Sequence, residues 1–488
     1  MPNSNRWSAY LVLLAAGFLD LLDTTVVNVA VSSIQHSLSA SLPDVQWVIA
    51  SYMLAFGLLL ITGGRLGDLF GRRRMFVAGV SGFTIASLAA GLAPSIAALI
   101  AARAIQGAAA AIMVPQILAI AQILFSPAER PAAFGLYGGV TGLAAVAGPL
   151  LGGFLVQQDL FGLGWRPIFL LNVPVGVAAI VLTLRLVPES RADTARSLDL
   201  GGVALVSVAL LGVLFPLMQG QSLAPWMAGA MVLIAAAAFV MFVRRERSLT
   251  PGGSALVPMT LFRERAFSVG LFTSAVFFAA TATFFLTVSI TLQLGLGFSA
   301  MRTGLTWLPF SLAAMAGSGM SIAAAPRLGR RILQIGAAVF ALGVAFVVLA
   351  LERRGIAVSG GSLILPMIVS GLGMGLVVAP LVDVILAGVH GRDAGAASGV
   401  LNATGQVGQA IGVATLGALY FFSLDGTRSA EAYVSALRVV LVADVAVLSG
   451  VVALTFALPA RRIRTNGDDV GAGGALREAE TESRARAA

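Results

Sequence analysis

The chain has no cysteine. Disulfides, thiol nucleophiles and Cys-ligated metals are thereby excluded. It also has no lysine, so all 31 basic residues are arginine. A G-x-x-x-x-G-K-S/T phosphate loop is therefore missing, and nothing implies ATP. Histidine occurs only as His36 and His390, which rules out a His-rich metal site. Charged residues make up 11% of the chain, against about a quarter in water-soluble domains. No nucleophile–base–metal set stands out, so neither an enzyme, a metal nor an organic cofactor is expected.

Apolar residues make up 58% of the 488. Runs of 18 or more recur along the whole chain, the pattern of membrane-spanning helices. Fourteen spans are expected, near 8–31, 45–64, 75–93, 96–124, 132–156, 167–187, 200–218, 226–243, 267–292, 303–325, 332–351, 362–387, 395–422 and 435–459. The net charge of +9 does not point to nucleic acid, because the arginines sit in short segments between apolar runs. They read as topology determinants, since cytoplasmic loops are enriched in basic residues. With a cytoplasmic N-terminus, eighteen arginines fall in the N-terminal segment and inner loops, and six more in the tail. Six fall outside, and Arg103 lies deep within a span. The polar MPNSNR start leads straight into a full-length span rather than a cleavable leader. The expectation is a multi-pass protein of the bacterial cytoplasmic membrane with both termini cytoplasmic. The polar tail, residues 461–488, is expected to be disordered.

An internal repeat runs through the chain. Trp47 pairs with Trp307 at an offset of 260, and Gly71-Arg72-Arg73 with Gly329-Arg330-Arg331 at 258. A glycine-rich helix reaching Pro115 matches one reaching Pro380 at 265. These offsets predict an all-α architecture of six, two and six helices. Residues 1–187 form one half, 188–265 two inserted helices, 266–460 the second half and 461–488 the tail. Repeated halves around a central site are the usual build of secondary transporters.

One charged knot interrupts the apolar pattern: "GGRLGDLFGRRRMF", residues 63–76. It resembles the G-x-L-x-D-x-x-G-R-R/K loop of the major facilitator superfamily, matched by Gly64, Leu66, Asp68, Gly71, Arg72 and Arg73. Arg65 and Arg74 are accounted for as topology signals, but Asp68 and the glycines are not. Glycine permits a tight turn and close helix approach. An acid is favoured at a neighbouring helix N-terminus, and arginines can pair with carboxylates on adjacent helix ends. The resemblance implies a conformational latch at Gly64, Asp68, Gly71, Arg72 and Arg73. The second copy has no counterpart of Asp68.

Further motifs resemble the fourteen-helix drug:proton antiporters of that superfamily. "LDTTVVNVA" in span one matches their signature through Leu22, Asp23, Thr25, Val27, Asn28, Val29 and Ala30. "RAIQG", Arg103 to Gly107, is similar to the R-x-x-Q-G of proton-coupled members. "GLAAVAGPLLGG", Gly142 to Gly153, looks like the exporter motif G-x-x-x-x-x-G-P-x-x-G-G. "WRPIFLLNVPVG", Trp165 to Gly176, is also like this subfamily.

In residue terms, Asp20 and Asp23 are acids inside an apolar helix, which marks a functional site. Helical spacing places them on one side with Thr24, Val27 and Asn28. Arg103 cannot lose its charge and must find a carboxylate, a carbonyl or water. Gln106 can join that network. Proton coupling is therefore assigned to Asp23, Asp20, Arg103 and Gln106, with a static structural pair as the alternative. Gly148 and Gly152 are spaced for close helix packing, and the resemblance implies that Gly142, Gly148, Pro149, Gly152 and Gly153 make a tight seam with a helix of the other half, with ordinary glycine packing as the alternative. Asn28, Tyr52, Gln116, Phe285, Trp307 and Asp383 are candidates for a substrate cavity. The aromatic run 277–285 and Trp307 read more simply as lipid-facing or packing side chains, and Asp383 as a snorkelling or capping group at a helix end. Asp444 is a further acid within a span, with Arg438 as a candidate partner.

The resemblance implies a monomeric, proton-driven exporter of small amphipathic molecules, embedded in a lipid bilayer and needing no cofactor or nucleic acid. A lipid or metabolite importer on the same fold is the alternative, against which the "AGPLLGG" motif argues. A membrane receptor or scaffold without transport is another, against which Asp23, Arg103 and Gly148-Pro149 argue together.

Overall fold

The structure, a computed structural model, describes residues 3–40, 42–158, 162–191, 198–219, 223–249, 255–424 and 429–459. Among these there is no strand, and long helices follow one another through short turns. They are α1 (Asn3–Leu38), α2 (Leu42–Phe70), α3 (Arg72–Gly91), α4 (Ile96–Leu124), α5 (Arg130–Gln157), α6 (Pro167–Leu186), α7 (Leu200–Gln219) and α8 (Pro225–Leu249). The second half continues with α9 (Arg265–Ile290), α10 (Ala300–Leu328), α11 (Arg331–Arg354), α12 (Gly360–Leu386), α13 (Ala394–Leu424) and α14 (Ala430–Thr455). Among the described residues, thirteen helices are long and apolar enough to cross a membrane. The remaining one, α5, is 28 residues long. The chain is thus a multi-pass, all-helical membrane protein, and its helix order is consistent with a six, two and six plan. The expectation for the tail concerns residues outside the described ones.

Local chemistry explains the helix ends. Ser95, Ser299, Ser359 and Ser429 each accept a backbone N–H in the first turn of α4, α10, α12 and α14, satisfying donors that a helix start leaves free. Gly71 and Gly329, which the repeat pairs, both take positive φ, 102° and 52°. Only glycine takes that turn without strain, so the repeated G-R-R marks a sharp connection between helices. The ladder of α6 is interrupted at Leu171, because Pro174 has no N–H to offer one turn back.

Packing repeats with a shift of eight helices. The contacts α1–α5, α2–α4, α3–α4 and α3–α6 recur as α9–α13, α10–α12, α11–α12 and α11–α14. The two halves meet through α5–α10 and, reciprocally, α2–α13. The inserted α7 packs on α8 and also on both α2 and α13, with Phe215 5.9 Å from Trp47 between ring centres. Trp226, Leu233 and Phe239 of α8 point outward, which suits a helix surrounded by lipid.

Candidate functional site

Polar side chains meet in one buried cluster of the first half. Asp23 of α1 is paired with Arg103 of α4, and both are 1% exposed. The Arg103 guanidinium also donates to Gln106 Oε1 at 2.7 Å and to the Val48 carbonyl at 3.3 Å. Its carbon lies 4.2 Å over the Tyr52 ring, a cation–π contact. The second Asp23 oxygen accepts from Gln106 Nε2 at 3.0 Å and Asn172 Nδ2 at 2.9 Å. Gln106 reaches onward to Ser87 at 2.8 Å. Tyr52 in turn donates its hydroxyl to Asp20. Five helices, α1, α2, α3, α4 and α6, therefore converge on two carboxylates and one guanidinium. Gly107 makes the approach possible: a Cβ there would collide with the Tyr52 carbonyl oxygen.

Asp20, Asp23, Arg103 and Gln106 thus come together as one set. Tyr52, expected in a substrate cavity, instead links Asp20 to the arginine. Ser87 and Asn172 were not singled out from the sequence, although Asn172 lies within "WRPIFLLNVPVG". An amide in an apolar run was the available signal.

A second assembly closes one end of the molecule. Asp68, near the end of α2, accepts from the Gly395 and Ala396 N–H groups at 3.1 and 3.0 Å. These amides open α13 in the other half, so the carboxylate sits where the helix dipole favours it. Arg72 pairs with Asp68 and donates to the Gly391 carbonyl at 2.7 Å. Gly64 lets α2 touch α13, since a Cβ there would strike the Gly395 carbonyl. Nearby cross-half bonds run from Ser398 Oγ to the Pro115 carbonyl at 2.8 Å and from Gln122 Nε2 to the Leu386 carbonyl at 2.8 Å. Arg73 and Arg74 do not join this contact. Their backbone N–H groups, at 3.1 and 3.2 Å, are capped by Glu189.

The inserted helices are fastened at the same end. The Arg245 fork donates to both Asp199 oxygens at 2.8–2.9 Å. Burial pushes Asp199 up, but the Arg245 fork and the Gly201 and Gly202 amides outweigh it and hold its carboxyl below the usual range. Glu246, fully buried, accepts from Val257 N–H at 2.9 Å and feels the charge of Arg65.

Other expected site residues fall elsewhere. Gly148 and Gly152 face α1 of their own half, where Cβ atoms would meet Thr25 and Val26. For these two glycines this corrects the expectation of a seam to the other half. Other parts of that motif do touch across: Gly142 accepts from Ser311 Oγ at 3.1 Å, and the Leu150 side chain packs against Gly304 of α10. Gly153 is buried, and the side chains of Pro149 and Asn28 lie outside the described ones. Gln116 braces α2 by donating to the Gly63 carbonyl at 2.8 Å. Phe285 stacks on Trp307 at 4.4 Å, within a packed cluster that includes Phe284, Phe310 and Phe340. Asp383 acts electrostatically on Arg130 across the halves. Among the described residues Asp444 has no hydrogen-bond partner, and Arg438 does not pair with it. A cleft of about 510 Å³ lies between α5 and α10, lined by apolar and glycine residues such as Gly135, Gly139, Leu312 and Met315.

The Major Facilitator Superfamily profile matches residues 13–413. A probable actinorhodin transporter of Streptomyces coelicolor is 42% identical over 434 residues, which cover 88% of this chain and 75% of the relative. The tetracenomycin C resistance and export protein of Streptomyces glaucescens is 36% identical over 427 residues, covering 85% and 76%. Among solved structures, a proton:xylose symporter bound to 6-bromo-6-deoxy-D-glucose superposes with a TM-score of 0.63 at 16% identity, covering 91% of this chain and 95% of the symporter. That likeness shows the fold alone.

Proposed function

This chain belongs to the major facilitator superfamily, and we propose that it exports small amphipathic, antibiotic-like compounds in exchange for protons. The export part follows from relatives that carry antibiotics out of cells or confer resistance to them. Membership of a transporter family also answers the enzyme reading. The observation that carries the proton part is the buried Asp23–Arg103 pair with Asp20 one turn away. Arg103 holds a fixed charge, so the two acids are the groups that can change charge state. Protonating Asp23 would release Arg103 to Gln106 and Val48, and a returning carboxylate would draw it back. Neither step needs a cofactor.

The depth of the site supports proton entry from one side. Arg103 lies seven residues from the start of α4, roughly 10 Å along a helix. That end is opposite Asp68. With the Asp68 end bonded shut, protons reach Asp23 from the opposite end, which we assign to the outside of the cytoplasmic membrane. Both termini then lie in the cytoplasm, and the arginine bias agrees. The half boundaries near 187 and 265, the Asp68 latch and a monomeric state belong to the same proposal.

The test uses purified protein in vesicles with an imposed pH gradient, with actinorhodin, tetracenomycin C or puromycin supplied outside them. Accumulation that collapses when the gradient is discharged is the expected result. Transport that ignores the gradient would overturn the coupling while leaving export intact.

A further inference from the structure

Asp444 stands apart from everything above. It lies on the buried stripe of α14, in line with Leu437, Val440, Leu441, Leu448 and Val451. It is 14 residues from Ala430 and 11 from Thr455, so about 20 Å and about 16 Å from the two helix ends. That is mid-membrane depth. Its side chain is 0% exposed, and neither carboxylate oxygen has a hydrogen-bond partner among the described residues.

The charged and titratable groups around it do not help. Its own helix carries Glu431, Tyr433 and Arg438. The packed neighbours carry Arg265 on α9, Arg331, Glu352, Arg353 and Arg354 on α11, and Tyr420 on α13. None of them bonds to Asp444. An ionised carboxylate in such a place is strongly disfavoured. A metal cation is no remedy, because it would need several oxygen ligands converging on it, and no group of metal-binding side chains exists among the described residues. A proton is the one ligand that neutralises a carboxylate without further partners.

We propose that Asp444 is a proton-binding site of the second half, occupied in the conformation whose Asp68 end is closed. It is separate from the Asp23 cluster, which belongs to α1, α2, α3, α4 and α6. Its occupancy stands on geometry alone. Its use in the cycle rests on the proton-coupled reading above.

Infrared difference spectroscopy on the purified full-length protein tests occupancy. A protonated carboxylic acid has a carbonyl stretch that carboxylates and amides do not share. Wild type should show this band at neutral pH, and Asp444→Asn should lose part of it while Asp23→Asn retains that part. Absence of the band in wild type, or a band unchanged in Asp444→Asn, overturns the proposal. If Asp444→Asn does not fold, Asp444→Leu serves, since it matches the apolar stripe, and the wild-type spectrum stands independently. The second arm counts protons moved per puromycin in vesicles. Asp444→Asn should move fewer than wild type with export retained, and an unchanged count would remove Asp444 from the cycle. Wild type that exports without moving protons would instead sink the coupling, whatever the spectra show.

Discussion

At the scale of single residues, the first-half cluster turns on what each group can give up. Arg103 cannot lose its proton, so the proposed exchange assigns the titrating role to the acids. Asp23→Asn keeps the size of the side chain and an oxygen for Asn172 and Gln106, but removes the titrating group. We expect a folded, inserted protein with no pH-driven export, checked in reconstituted vesicles. Arg103→Lys keeps the charge but not the reach to Val48, Asp23 and Gln106 at once, nor the stacking over Tyr52. It should fold better than it transports, and full transport by that variant would show that a point charge is enough. Asp20, Asp23, Arg103 and Gln106 were legible in the sequence because polar groups in apolar runs are conspicuous. Their bonding to Ser87, Asn172 and Tyr52 was not. A tyrosine in a span carries no mark of whether it borders open space or stacks on an arginine, and only the meeting of five helices decides it.

At the scale of helices, glycine sets which pairs can touch. Gly107 brings α4 against α2 closely enough to lay Tyr52 over Arg103, and a Cβ would run into backbone. Backbone cannot rotate away, so Gly107→Ala should push the helices apart and destabilise by about 1–3 kcal/mol. Gly229 in α8 is the matched control, because nothing lies within 4 Å of an added Cβ. Gly229→Ala should be neutral or stabilising by about 0.5–1 kcal/mol. Thermal unfolding of the two variants in one detergent reads the difference, and equal melting would refute the packing account. The spans themselves were legible from apolar run length. The helices overrun those runs, α1 covering Asn3–Leu38 rather than 8–31, because capping and backbone bonding continue after hydropathy stops. The direction of Gly148 and Gly152 was not legible. Small residues spaced four apart say that a helix face is flat, not whether α1 or a helix of the other half lies on it.

At the scale of the whole molecule, two similar halves are held shut at one end by a few bonds. Asp68 contributes two charge-assisted contacts to the first turn of α13 and anchors Arg72, which reaches Gly391. Asp68→Asn removes the charge and leaves an amide where two N–H donors converge. The loss is on the order of 1–3 kcal/mol. A two-state equilibrium moves tenfold for each ~1.4 kcal/mol, so the closed end should open in a large share of molecules. Gln122 and Ser398 still bridge the halves, so the fold should survive. The absence of cysteine makes the measurement direct, since introduced cysteines are the only thiols. Spin labels at Arg74→Cys and Arg327→Cys, both exposed and one in each half, report the separation at that end. Asp68→Asn should add a longer distance to their distribution, and cargo should still bind from the opened side while turnover falls. An unchanged distribution together with normal export would mean that the charged knot between α2 and α3 only orients the chain in the membrane.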